Sequence, residues 1–187
     1  MPEVLVLLAR GFEEIEAVTA VDVLRRAGVQ VTTAAVERRE VVGSRGVTVV
    51  ADARMAEVAA RPFDLVYLPG GSEGMQRLAA DPRVGELLRR HAARDGRLAA
   101  ICAAPFALRA HGLIPSGARI TSHPDIAREL AMFDYVEDPV VVDGPLITAR
   151  APGTALELAL VLVELLVGVA KRRELEAVLL VPPGRTR

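Results

Sequence analysis

Apolar residues fall along this chain in short, β-rich runs separated by stretches with helical spacing. The runs are Val4 to Ala9, Val29 to Val36, Leu65 to Leu68, Leu98 to Ile101, and a short one around Ile120. Strand-length runs alternating with helix-length segments predict βαβ units and a mainly parallel sheet. Val4-Leu5-Val6-Leu7-Leu8 leaves no polar side for water, so helices must cover the sheet on both faces. The expected architecture is an α/β three-layer sandwich.

Two further segments read as hairpins appended to the main sheet. Between Glu40 and Ala51 short strand-like pieces flank Gly43-Ser44-Arg45-Gly46, and Val140 to Val142 matches Leu146 to Thr148 across Asp143-Gly144-Pro145. After Pro152 and Gly153 a helix carries Leu156, Leu158, Leu160, Leu162, Leu165 and Leu166, broken only by Glu157 and Glu164 on roughly one face. A helix apolar nearly all round has to be buried, by the core or by a second copy of the chain.

Composition narrows the class. The chain has 187 residues, 51% hydrophobic and 25% charged, without internal repeat or linker, which suits one domain spanning 1–187. A net charge of −1 argues against nucleic acid as a primary partner. No apolar run is long enough for a bilayer, and Met1 to Ala9 enters a strand without a basic leader, so a cytoplasmic protein with no membrane partner is expected. Asn is absent and Gln occurs only as Gln30 and Gln76. That depletion fits selection for heat, although the single lysine, Lys171, among many arginines reads equally as genome composition.

Cys102 is the only cysteine, which excludes an internal disulfide and a multi-cysteine metal site. A buried inert thiol, an intermolecular bridge or a reactive thiolate remain. Its position decides among them. Leu98-Ala99-Ala100-Ile101-Cys102-Ala103-Ala104-Pro105 ends a buried strand, sets Cys102 on the turn, and opens a helix with Pro105 in its first turn, the layout of a nucleophile elbow. The N–H groups that follow favour the thiolate, so a lowered thiol pKa is expected. A small buried cysteine at a strand end is the competing reading, and the strand-turn-helix setting with its small neighbours weighs against it.

Other residues converge on that edge. Leu68-Pro69-Gly70-Gly71-Ser72 is either a plain tight turn or a turn whose N–H groups face an anion, with the N–H groups of Gly71 and Ala103 as a candidate oxyanion hole. Gly11-Phe12-Glu13-Glu14-Ile15-Glu16 places three carboxylates at a helix start, and complementing the helix dipole accounts for two of them. Glu16 shares a stripe with Ala20, Val23 and Ala27, at spacings of four, seven and eleven, which turns it toward packed surface. A carboxyl there should have a raised pKa and can donate or relay a proton. Ile120-Thr121-Ser122-His123-Pro124 ends a strand with a histidine, either a polarising group at the ligand edge of the sheet or a structural residue. His91 and His111 lie in helical contexts and are given no role.

These words together resemble the ThiJ/PfpI superfamily, in the branch of the Parkinson-disease-associated protein deglycase and its bacterial relatives. The matching stretches are Ala9 to Glu16, Val21 to Gly28, Leu68 to Gly71, Ala100 to Ala103, Thr121 to Pro124, and Pro152-Gly153-Thr154. The resemblance implies a flavodoxin-like fold, a homodimer, Cys102 as nucleophile or redox centre, Glu16 as its acidic partner, and His123 as the family histidine. It also implies Gly71 and Ala103 as backbone donors, a pocket bordered by Gly70, Ser72 and Pro152, and no metal or organic cofactor. Two positions depart from the pattern: Ala104 where glycine is usual, and Ser72 where asparagine is frequent.

The activities implied are cofactor-free conversion of methylglyoxal or glyoxal, repair of their early protein adducts, and oxidation sensing or redox-regulated chaperoning through a cysteine sulfinate. The peptidase branch has a histidine directly after the cysteine, where this chain has Ala103. Glutamine amidotransferases need a later histidine, and none follows His123. The partners the resemblance implies are small dicarbonyls or glycated proteins.

Overall fold

The structure, a computed structural model, describes residues 1–182. β1 (Glu3–Leu8) leads to α1 (Glu14–Arg26) and β2 (Gln30–Ala35), then to β3 (Glu40–Val42), β4 (Thr48–Val50), β5 (Ala53–Arg54) and α2 (Met55–Val58). β6 (Leu65–Leu68), α3 (Ser72–Ala80), α4 (Pro82–Ala92), β7 (Arg97–Ile101) and α5 (Pro105–Ala110) follow. β8 (Arg119–Ile120), a 3-10 segment (Pro124–Leu130), β9 (Asp134–Tyr135), β10 (Val140–Asp143) and β11 (Leu146–Ala149) come next, and a 3-10 turn (Pro152–Thr154) opens α6 (Ala155–Val167) and α7 (Val169–Val178).

The main sheet has the order β10-β11-β7-β6-β1-β2-β5. Its pairings are parallel except for the antiparallel β10–β11 hairpin at one edge. Val4, Val6 and Leu8 of β1 join the core under α1, α6 and α7, while Leu5 and Leu7 join the core under α2 to α5. Both faces are dry, so the continuous apolar strands and the α/β three-layer sandwich of flavodoxin-like type are one fact seen twice. The chain runs from β1 out to β2 and then back across to β6, so the topological switch point lies beside β1 at the carboxyl edge. Open sheets of this kind bind ligands there.

Two expectations change. The strand at Ile120 lies outside the main sheet: β8 pairs with β9 alone, because β11 already occupies the place beside β7. The hairpin after Glu40 is likewise a separate two-stranded sheet. It is tied to the start of α1: Gly11 N–H donates to Val42 O (2.8 Å) and Ser44 N–H to Phe12 O (2.8 Å). Of the two ways to bury the apolar helix α6, its own core covers one face, with Leu158, Leu160, Leu162 and Val163 fully enclosed and α1 and α7 packed along it. Leu156, Val161, Leu165 and Leu166 are only half-buried and Val167 is exposed, so part of its apolar surface stays open.

Candidate active site

Cys102 follows β7 with a φ of +62°, a left-handed conformation that costs a residue with a Cβ roughly 1–2 kcal/mol. The surrounding backbone holds it there. Its N–H donates to Ala149 O (2.9 Å), its carbonyl accepts from His123 N–H (2.9 Å), and Ala104 N–H closes the turn on Ile101 O (2.9 Å). The N–H groups of Ala103 and Gly71, from the loops after β7 and β6, point at the sulfur. The two candidate backbone donors thus meet at one atom.

Glu16 is fully buried in the first turn of α1. Its Oε2 accepts the Gly70 N–H at 2.7 Å, and its Oε1 is buried with no partner among the described residues. The side chain of Glu13 caps α1 by accepting from Glu16 N–H (2.8 Å), and the buried Tyr67 hydroxyl donates to Glu16 O (3.0 Å). Gly70 has to be glycine for reasons of space: a Cβ would stand 2.7 Å from both Cys102 Cβ and Glu16 Oε2. Gly71, with φ +92°, would put a Cβ 2.2 Å from Gly11 O.

Burial raises the Glu16 carboxyl to about 7, with the Gly70 N–H opposing and the nearby Glu13 charge adding to the rise. Burial also pushes the Cys102 thiol up to about 12, helped by the charge of the adjacent Glu16, against the Ala103 and Gly71 N–H groups. The lowered thiol pKa expected from the following helix is therefore reversed. α5 has only six residues, and two N–H groups do not offset the partial burial of the thiol beside a carboxylate. The two groups are coupled: the Glu16 charge that holds the proton on sulfur disappears when Glu16 takes that proton. The arrangement can thus release a thiolate by moving one proton over a few ångströms.

His123 reaches the same edge, but through its backbone. Its half-exposed imidazole accepts from Asp125 N–H at Nδ1 (3.3 Å), capping the 3-10 segment that follows, with Asp125 Oδ2 3.4 Å away. Ser72 opens α3 and is exposed, while Pro152 opens the 3-10 turn after β11, the strand beside β7. Among the described residues no cluster of three His, Cys, Asp or Glu side chains could hold a metal ion, and no helix is long and apolar enough to cross a membrane.

Sequence reasoning missed Tyr67 and Glu13. Their signals were a lone aromatic in a buried strand and a carboxylate three residues before Glu16. Glu14 is the third carboxylate: its side chain accepts from Ser44 Oγ (3.0 Å), Arg45 N–H (2.6 Å) and Val47 N–H (3.3 Å). Burial acts to raise its pKa, but those donors outweigh it and the net direction is down. The three acids of one helix start therefore do three jobs.

Comparison with known proteins identifies the family. The model of the DJ-1/PfpI family matches residues 2–165. Protein dj-1beta of Drosophila melanogaster is 47% identical over 180 residues, 95% of this chain and 96% of its own length. Glutathione-independent glyoxalase DJR-1.2 of Caenorhabditis elegans is 38% identical over 165 residues, 87% of each chain. The crystal structure of Drosophila melanogaster DJ-1beta superposes with a TM-score of 0.94 at 46% identity, covering 97% of this chain and 98% of that one. A likeness of sequence and backbone that runs through the elbow and nearly the whole chain makes this protein a member of the DJ-1/PfpI family.

Proposed function

We propose that this protein is a cofactor-independent glyoxalase and deglycase, acting on methylglyoxal, glyoxal or their early adducts on proteins. The observation that carries this reading is the fully buried Glu16 beside Cys102, with one carboxyl oxygen unpartnered. The kinship with a glutathione-independent glyoxalase supports it.

Glu16 takes the Cys102 proton, the thiolate attacks the aldehyde carbon, and Glu16 hands that proton to the resulting oxyanion, giving a hemithioacetal whose oxygen faces the Gly71 and Ala103 N–H groups. Glu16 then moves a proton from that carbon to its neighbour, so the first carbon is oxidised and the second reduced within one molecule. Water hydrolyses the resulting thioester, releasing lactate or glycolate and restoring the thiol. Gly70, Ser72 and Pro152 border the pocket, and His123 shapes its rim.

A second reading follows from the same unpartnered oxygen. Two equivalents of peroxide would convert the thiolate to a sulfinate with release of two waters, and a protonated Glu16 could donate to it. The protein would then report oxidation or act as a redox-regulated chaperone. A homodimer, expected from the family resemblance, and a cytoplasmic location belong to the proposal in either case.

The deciding experiment incubates the protein with methylglyoxal in the absence of glutathione and follows lactate for wild type, Cys102→Ser and Glu16→Gln. Lactate from wild type alone supports the enzyme. Wild type no better than Cys102→Ser ends that reading, and stoichiometric gain of two oxygens at Cys102 under mild peroxide would then favour the sensor.

A further inference from the structure

A small concave site lies at the amino edge of the sheet, away from Cys102. It encloses about 130 Å³ and is walled by Arg61 and Phe63 before β6 and by Arg90, His91 and Arg94 at the end of α4, over the apolar floor of Val66 and Leu87. From here to Cys102 the chain runs the full length of β7, five residues or about 16 Å at roughly 3.3 Å each. The two sites are therefore on opposite edges.

The charge of this pocket is one-sided. The Arg61 guanidinium pairs with Glu3 (3.0 Å) and stacks 5.2 Å over the Phe63 ring. Asp64 is nearby, but its carboxylate accepts the Glu3 N–H (2.8 Å). Among the described residues the side chains of Arg90 and Arg94 make no hydrogen bond or ion pair, and Arg90 is half-buried. Complementing the dipole of α4 is an insufficient role for them, since a helix end carries only about half a charge and two free guanidiniums carry two.

The platform is also rigid. His91 is buried and its Nε2 bonds to Arg97 O (2.7 Å), clamping the turn from α4 into β7. Gly96 packs so close that a Cβ would meet the His91 ring at 2.2 Å. Both unpartnered arginines flank this clamp, so the backbone that carries them is set before any ligand arrives.

We infer that this pocket is a binding site for a phosphate dianion, free or as a small monoester. Planar guanidiniums fork onto tetrahedral oxyanions, and the volume equals about four waters at roughly 30 Å³ each, the scale of one phosphate group. The inference does not rest on the chemistry assigned to Cys102.

The test titrates the full chain with inorganic phosphate and with glycerol phosphate at constant ionic strength, chloride serving as control. Binding is read by calorimetry and by the His91 ring resonances. One saturable site per chain is expected, unchanged in Cys102→Ser and weakened at least about tenfold in the Arg90→Gln, Arg94→Gln double variant, the loss of charge-assisted hydrogen bonds. Tighter binding of either probe identifies the free or the esterified source. A response equal to that of chloride, resonance changes confined to the Cys102 region, or a folded double variant that binds as wild type overturns the site.

Discussion

Gly70 donates its N–H to Glu16 Oε2 across 2.7 Å, and its missing side chain is what lets Glu16 and Cys102 stand together. A methyl there would sit 2.7 Å from atoms of both, forcing the β6 loop to move. Gly70→Ala is expected to keep the fold and lower Cys102 reactivity toward methylglyoxal about a hundredfold, the cost of a displacement near 1 Å. An unchanged rate would remove this account of the glycine.

The raised carboxyl also sets a pH profile. If Glu16 must be ionised to take the thiol proton, kcat/KM for lactate formation rises as pH passes about 7. Glu16→Gln should lose that limb together with most of the activity. A wild-type profile flat from pH 5 to pH 8 would show that another group takes the proton.

Stability carries the opposite sign. The Glu16 pKa goes from 4.5 to about 7 on folding, so the folded state binds more protons across that window and loses stability as pH rises through it. At about 1.36 kcal/mol per unit, wild type should lose up to about 3 kcal/mol relative to Glu16→Gln between pH 4 and pH 8. Urea unfolding of both proteins at the two pH values measures the difference. The site would then be held at a cost in stability.

Glu14 gathers three donors from the β3–β4 turn. Glu14→Ala strands two N–H groups and is expected to destabilise the hairpin by about 1–3 kcal/mol, seen as faster amide exchange at Arg45 and Val47 while β1 and β6 stay protected. Uniformly faster exchange would mean that Glu14 supports the whole domain.

The dimer is expected from the family resemblance, while α6 packs one face on α1 and α7 of its own chain and leaves Val167, like Ile15 and Val18 of α1, exposed. Sedimentation at micromolar concentration should give twice the chain mass of 19.9 kDa. A monomer would withdraw the dimer from the proposal.

Local pattern made much of this legible. Unbroken apolar strands announced a sheet covered on both faces, because a strand with no polar side cannot meet water. The run from Leu98 to Pro105 announced a turn that exposes Cys102, because small residues and a first-turn proline constrain the backbone locally. The stripe through Glu16, Ala20 and Val23 announced a buried carboxylate, because helical period alone fixes which face is packed. His91 was passed over as merely helical, although a histidine at a helix end can clamp the next turn, as it does on Arg97 O.

Other matters depend on what lies across space. Strand order decides that β8 pairs with β9, since no local signal says that β11 has taken the place beside β7. Whether α6 faces a partner or its own core depends on α1, more than a hundred residues earlier in the chain. The protonation of Cys102 depends on distance as well. Sequence by itself determined that a thiol stands on an elbow at the carboxyl edge and that Glu16 faces inward. Only the tertiary structure decided that they stand side by side against Gly70, where burial and mutual charge raise the thiol to about 12 and the carboxyl to about 7. Desolvation and Coulomb energy are properties of the assembled surroundings, and a linear string of residues does not contain them.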